Sequence, residues 1–226
     1  MKKLLTTTAL LLSAGLTLGA EPATITSVDL VDENSIINTG GDVVSAVNLG
    51  SPQAVSTVDA TVNGILHKVA SAANAGDGAD LIPELTINST FDGGFRTTFN
   101  PFSGDLNNLI GGIAGTPAPG PLELDITGLS IGTTYLFQAY WETGTTNQTG
   151  TVTIEGDSLA GINSTNTQLI SYTFEATDTE LNFELLQTGG SDSIWLSGYS
   201  LQVVPEPGSL ALIGLGGVMV LRRRRS

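Results

Sequence analysis

Residues 122–141 read LELDITGLSIGTTYLFQAYW, and this stretch decides the fold class. In its second half, apolar and aromatic side chains recur at every other position, with Tyr135 and Phe137 on one side of the chain. A period of two is typical of a β-strand with one buried face. Gly128 and Gly132 interrupt the pattern, and glycine supplies the positive φ angles of a tight turn. The stretch therefore predicts two core strands joined by a turn.

Similar short runs of β-branched residues, separated by Gly, Asn and Asp, recur along residues 21–204. They predict strands at 24–30, 42–47, 58–68, 84–88, 122–126, 134–141, 150–155, 167–174, 180–186 and 193–203. The third of these is expected to break at Asn63-Gly64. Roughly ten strands at this spacing predict an all-β fold, a β-sandwich or jelly roll.

Residues 70–121 depart from this pattern and are rich in Gly, Pro and Asn. Besides the strand at 84–88, they contain one predicted short helix at 104–111, with Asp105 near its N-terminus. A loop region this long in a compact domain is usually functional or packed across one end of the fold.

Two segments of the body resemble known exported domains. Residues 39–66, TGGDVVSAVNLGSPQAVSTVDATVNGIL, resemble the opening of bacterial jelly-roll domains. Residues 124–140, LDITGLSIGTTYLFQAY, resemble the Gly-Leu-x-x-Gly-x-x-Tyr turn of galactose-binding-like and malectin-like sandwiches. The resemblance implies a jelly-roll body in which Leu129 and Tyr135 plug one end, and it makes weak carbohydrate binding an expectation.

The two ends of the chain have the composition of targeting segments. Residues 1–20 begin Met-Lys-Lys, continue as an apolar stretch and end in Gly-Ala, which predicts a secretory signal peptide. After the body at 21–204, residues 205–226 contain Pro205-Glu206-Pro207, an apolar run at 210–221 and a run of four arginines. A helix of twelve residues is about 18 Å long, short of the roughly 30 Å hydrocarbon core.

The order of these C-terminal features resembles the PEP-CTERM sorting signal. The resemblance rests on Pro205, Glu206, Pro207, a short apolar helix and the terminal run of Arg222, Arg223, Arg224 and Arg225. It implies recognition and cleavage by exosortase, a membrane enzyme. The chain is then expected to associate with the inner membrane only transiently, before it reaches the cell envelope or the extracellular matrix.

Charge and cysteine content exclude several functions. The net charge is −14, and every acidic residue except Glu206 lies in the body, where Lys68 and Arg96 are the only Lys or Arg residues. Such an acidic body is repelled by phosphate backbones, so nucleic acid is excluded as a partner. The chain has no cysteine, which excludes disulfides and thiolate sites.

The candidate sugar-binding residues lie where the strand at 134–141 and the strand at 193–203 approach loops. Carbohydrate sites combine aromatic rings with polar groups that bind hydroxyls. The predicted platform and its polar partners are Tyr140, Trp141, Trp195, Arg96, Glu142 and Asp192. Packing of the two tryptophans in the core or at a sheet edge is the competing interpretation.

Two carboxylates are the one enzymatic option that the composition leaves open. Glu123 and Asp125 lie two residues apart on a predicted strand and point to one face. They resemble the Glu-x-Asp-x-x-Glu strand of jelly-roll β-glucanases, in which carboxylates act as acid and nucleophile. Gly128 stands where the third acid is expected. A solvated outer face is therefore the preferred interpretation, and no enzymatic activity is predicted.

Other chemistry is sparse. His67 is the only histidine, and without a partner it is predicted to lie at a solvent-exposed edge. No cofactor is predicted, and calcium is the metal that oxygen ligands favour as a structural ion. The loop carboxylates available to it are Asp77, Asp80, Asp92 and Asp192.

The sequence as a whole predicts an exported jelly-roll protein of the cell envelope or matrix, whose partners are exosortase and extracellular polysaccharide. Two alternatives stay open: a structural or adhesive matrix component without a ligand pocket, and a glycoside hydrolase that uses Glu123 and Asp125.

Overall fold

The computed structural model describes residues 23–49, 58–69, 85–87, 102–111, 114–116, 120–142, 148–163, 166–190 and 194–206. The predicted signal peptide, the apolar run at 210–221 and the four arginines lie outside these residues. The strands are β1 (Thr24–Asp29), β2 (Val43–Asn48), β3 (Ala60–Val62), β4 (Ile65–Val69), β5 (Leu85–Ile87), β6 (Ala114–Thr116), β7 (Pro121–Thr127), β8 (Thr134–Glu142), β9 (Thr149–Ile154), β10 (Asp157–Asn163), β11 (Gln168–Glu175), β12 (Glu180–Gly189) and β13 (Ile194–Val203).

These strands form two sheets that pack face to face. The larger sheet has the order β1-β11-β8-β13-β2-β4-β3, and β6 also pairs with β13. The smaller sheet has the order β10-β9-β12-β7-β5. Among the described strands, β2 and β4 are the one parallel pair. The predicted all-β, jelly-roll-type sandwich is confirmed, with β6 and β10 in addition to the expected strands.

The turn between β7 and β8 crosses from the smaller sheet to the larger one. Gly128 and Gly132 have φ angles of 101° and 80°. Leu129 and Tyr135 are buried, and the Ser130 amide donates a hydrogen bond to Tyr135 Oη at 2.9 Å. The predicted plug at this end of the sandwich is confirmed.

The main core lies between the sheets and follows the alternation of the sequence. The alternation within the strands predicted at 134–141, 180–186 and 193–203 places Tyr135, Phe137, Leu181, Phe183, Leu185, Ile194 and Leu196 on the core side, and the buried members are Tyr135, Phe137, Leu181, Phe183, Leu185 and Leu196. Ile194 belongs to β13, but its side chain lies outside the described part. Between the two sheets, rings from both sides meet, and the ring centroids of Phe137 and Phe183 are 5.4 Å apart.

A second core covers the middle of the outer face of the larger sheet, around Tyr140. It is built by residues on either side of a 3₁₀ helix (Glu33–Ser35), by the β3–β4 hairpin and by helix α1 (Gly104–Ile110). Its buried members include Leu30, Ile36, Ile65, Leu109 and Tyr140. The helix predicted at 104–111 is confirmed; Ser103 is its N-cap, and the carboxylate of Asp105 accepts a hydrogen bond from the Thr61 amide at 3.0 Å. The middle of the larger sheet is thus covered on both faces.

Candidate functional site

The predicted aromatic platform is not exposed at the end of β8. Tyr140 and Trp141 each have 0% of their surface exposed. Trp141 belongs to the core between the sheets, whereas Tyr140 points to the opposite face and belongs to the second core. The prediction that either ring stacks on a sugar is wrong, because β8 is covered by a core on each of its two faces.

Tyr140 instead takes part in a buried polar network with His67. Tyr140 Oη lies 2.9 Å from His67 Nε2 and 3.2 Å from Ser200 Oγ, and His67 Nδ1 lies 3.1 Å from the Ile65 carbonyl. Burial lowers the pKa of His67 to about 4 and raises the pKa of Tyr140. The prediction of a solvent-exposed histidine is wrong, since β4 is part of the second core and His67 has 0% of its surface exposed. The network is internal and offers no surface to a ligand.

Of the remaining residues of the predicted platform, the structure describes Trp195 and the backbone of Glu142. Trp195 is half-buried on β13, and its Cα pairs with that of Glu142 on β8. The structure therefore brings Trp195 and Glu142 to neighbouring strands, as the prediction requires. The side chain of Glu142 is outside the described part, as are Arg96 and Asp192.

A groove that no sequence pattern predicted lies on the second core. It has a volume of about 640 Å³ and is lined by Val31, Asp32, Glu33, Asn34, Phe102, Ser103 and Leu106. The Asp32 carboxylate caps the 3₁₀ helix by accepting hydrogen bonds from the amides of Asn34 and Ser35 at 2.9 and 3.2 Å. That cap fixes one wall of the groove.

The other wall of the groove carries its aromatic ring. Phe102 is half-buried and packs against the second core just before α1. Across the groove, Glu33 and Asn34 are exposed. A ring beside a carboxylate and an amide is the combination that sugar recognition uses. The one sequence signal for this wall is the Asp-x-x-Ser capping pattern at Asp32.

The outer face of the smaller sheet gathers carboxylates. A depression of about 420 Å³ is lined by Glu123, Asp125, Thr153, Glu155, Gly156, Asn182, Phe183 and Glu184. Glu123 pairs directly with Glu184 on the neighbouring strand, and the Glu155 carboxylate accepts a hydrogen bond from the Asn182 amide at 2.6 Å.

The prediction that Glu123 and Asp125 share the outer face is confirmed, because Leu122, Leu124 and Ile126 are buried on the opposite face. The convergence of Glu155 and Glu184 on the same depression was not predicted. Within the described lining, the one aromatic residue, Phe183, is buried, so the face has no ring for a sugar to stack on.

Metal ligands and cations are scarce in the described part of the chain. No group of three or more His, Cys, Asp or Glu residues in it is arranged to hold a metal ion. Asp77, Asp80, Asp92 and Asp192 lie outside it, so the expectation of structural calcium is untested. Lys68 is the one Lys or Arg residue that the described ranges contain. Their surface is therefore strongly acidic.

The end of β13 leads directly into the C-terminal segment. Val203 is the last residue of β13, and Pro205 and Glu206 after it are exposed. None of the helices among the described residues is long and apolar enough to cross a membrane. The profile of the PEP-CTERM protein-sorting motif matches residues 203–225.

The chain carries a PEP-CTERM sorting signal. This signal indicates an exported protein that is sorted through the membrane, and it implies processing by exosortase. The matched range starts at Val203, so the PEP-CTERM signal overlaps the last residue of the folded sandwich. No curated protein matches the sequence.

Solved structures resemble the body that precedes the PEP-CTERM signal. A β-glucuronidase from Bacteroides uniformis matches with a TM-score of 0.50 and 15% identity, over 78% of this chain and 19% of that chain. This chain therefore spans a small part of the length of that enzyme. The CBM22-1 xylan-binding domain of Paenibacillus barcinonensis Xyn10C matches with a TM-score of 0.38 and 10% identity, over 74% of this chain and 97% of that domain. At these identities the likeness concerns the fold alone.

Proposed function

We propose that the protein is a non-catalytic component of the cell envelope or extracellular matrix that binds extracellular polysaccharide weakly. The proposed site is the groove between residues 31–34 and 102–106. The observation that carries the proposal is the half-buried ring of Phe102 opposite the exposed side chains of Glu33 and Asn34.

The groove has the chemistry of a shallow sugar site. The ring of Phe102 is anchored on the second core, so little conformational freedom is lost when a sugar ring stacks on it. The carboxylate of Glu33 and the amide of Asn34 accept and donate hydrogen bonds to hydroxyls. An acidic wall disfavours uronic acids and other anionic sugars, so neutral polysaccharides are the expected class.

The affinity expected of such a site is low. One stacked ring contributes about 1 kcal/mol beyond the area it buries, which is consistent with dissociation constants of about 10⁻³ to 10⁻⁴ M. Adhesion by single sites of this strength requires many copies on one surface. Sorting to the envelope places many copies of the protein on one surface. In this way the C-terminal signal supports the proposed binding.

Phe102→Ala is expected to weaken the binding of neutral oligosaccharides of β-glucan, xylan or galactose, as measured by titration of the sugar-dependent NMR shifts that the unaltered protein shows. The loss should be at least about fivefold in affinity, because the stacking ring is removed. Ile131→Ala, which shortens an exposed apolar side chain elsewhere, is the matched control and should bind normally. Trp195→Ala tests the platform predicted from the sequence.

Other results of the same titration point to the alternatives. If the unaltered protein shows no shifts at tens of millimolar sugar, the protein is a structural or adhesive component without a ligand site. New reducing-end signals that disappear in Glu123→Gln indicate a glycoside hydrolase, for which the acidic depression supplies two neighbouring carboxylates.

The mature protein is expected to lack Arg222–Arg225, with its C-terminus near Pro205-Glu206-Pro207, because exosortase processing removes the membrane segment. Intact-mass spectrometry of protein recovered from native envelopes measures this. Recovery of the full arginine run on every molecule contradicts it.

A further inference from the structure

The first residues of the sorting signal are part of the folded domain. Val203 ends β13, a central strand of the larger sheet between β8 and β2. The Val203 amide donates to the Asp42 carbonyl at 2.8 Å, and the Val204 amide donates to the Thr134 carbonyl at 2.9 Å. The signal therefore leaves the domain from a hydrogen-bonded position and not from a free linker.

The segment before β2 closes over this exit. Thr39 Oγ1 donates a hydrogen bond to the Val203 carbonyl at 2.7 Å. A Cβ atom on Gly41 would lie 2.2 Å from the Val203 carbonyl oxygen and 3.3 Å from Pro205 Cδ, so the backbone of Gly41 is in direct contact with the start of the signal. We call Thr39, Gly41, Asp42 and Thr134 the exit clamp.

The segment that connects β13 to the apolar run is too short for the domain to lie far from a membrane that holds this run. Val203 and Leu210, the first residue of the apolar run, are seven Cα steps apart. Fully extended, that length of chain reaches about 25 Å. When the apolar run is in the membrane, an enzyme that cuts near Pro205-Glu206-Pro207 therefore works directly beside the exit clamp.

Apolar side chains are exposed at the same end of the sandwich. Val43, next to Asp42, is 44% exposed, and Ile131, in the β7–β8 turn that precedes Thr134, is 68% exposed. Val43 pairs with Gln202 near the end of β13, and Ile131 lies three residues before Thr134, whose carbonyl accepts the hydrogen bond from Val204.

We propose that the exit clamp and its flanking residues Val43 and Ile131 form the face that the membrane processing enzyme contacts, so that the enzyme cuts a folded substrate whose signal is held in one direction. A held substrate loses less rotational and translational freedom when it binds than a signal on a flexible tether does. The clamp thus positions the scissile segment, and it takes no part in the cleavage chemistry.

The decisive experiment inserts a flexible eight-residue Gly-Ser spacer between Val204 and Pro205 of the full chain. This variant keeps both the folded body and the signal from Pro205 onward. The flexible spacer between them removes the fixed orientation of the signal relative to the body. In the native host, pulse-chase labelling with antibodies against the body should show processing about tenfold slower than for the unaltered chain. The same spacer placed after Gly156, in the β9–β10 hairpin, is the control and should leave processing unchanged.

A point substitution tests the clamp itself. Thr39→Val removes the hydroxyl that binds the Val203 carbonyl and should slow processing about threefold to tenfold, whereas Thr39→Ser keeps the hydroxyl and should restore it. Thr26→Val, on the exposed edge strand β1, removes a comparable hydroxyl at 3.4 Å from Ser171 O and should have no effect.

Circular dichroism identifies any variant that does not fold. The variant with the spacer after Val204 tests the proposal without substituting any residue of the exit clamp. Processing of the folded spacer chain at the normal rate or faster overturns the proposal and means that the enzyme reads the signal as a free peptide. The readout is independent of sugar binding, so the two proposals fail separately.

Discussion

Replacing Phe137 with alanine is expected to lower the free energy of unfolding by about 3–5 kcal/mol. Phe137 is fully buried, and its ring lies between both sheets, with centroids 5.4 Å from Phe183 and 5.8 Å from Tyr199. Removing the ring leaves a cavity that neighbours on two hydrogen-bonded sheets cannot close. Urea unfolding followed by circular dichroism measures the change.

Val28→Ala provides the control for the Phe137 experiment. Val28 is 54% exposed on the edge strand β1, so its truncation should change the free energy of unfolding by less than about 0.5 kcal/mol. A loss below 1 kcal/mol for Phe137→Ala would mean that this ring is not a central part of the core.

Stability is expected to fall as the pH is lowered from about 6.5 to 4, with His67 as one identifiable cause. Burial lowers the pKa of His67 from 6.5 to about 4 in the folded state. Between these values the unfolded chain binds a proton at this ring and the folded chain does not, so acid favours unfolding. The contribution is fully present above pH 6.5 and amounts to about 3 kcal/mol, which is lost by pH 4.

His67→Gln isolates this contribution, because glutamine is neutral at every pH and also forms hydrogen bonds. The difference in unfolding free energy between the variant and the unaltered protein should be constant above pH 7. It should shift by about 3 kcal/mol in favour of the variant between pH 6.5 and 4. Parallel stability curves would show that the ring is accessible to protons in the folded state.

Strands were predictable where a core face alternates with a solvent face. The limits of β7 and β8 lie within one residue of those expected, and β12 ends three residues beyond its expected limit. β10 was missed because Ile162 is its one buried residue and because the turn before it uses Glu155, with a φ of 52°, instead of the usual Asn or Asp.

The site was much less predictable than the fold. Periodicity indicates that the two faces of β8 differ, but not that a second core covers the outer one. That core is assembled from Leu30 and Ile36 on either side of the 3₁₀ helix, from the β3–β4 hairpin and from α1, which are far apart in the sequence. The same assembly buries Tyr140 and His67, and it creates the groove at Phe102. Contacts between segments so far apart produce no periodic pattern in the sequence from which they could be predicted.

The order of strands in the larger sheet also governs how an exported chain can fold. β13 joins β1-β11-β8 to β2-β4-β3, and no other described strand connects these two halves. Because an exported chain emerges from its N-terminus, the connecting strand arrives last, after every other strand has left the translocation machinery. Until then both halves carry an unpaired edge, which neighbouring copies could pair with. Completion of the sheet is thus a late and non-local event.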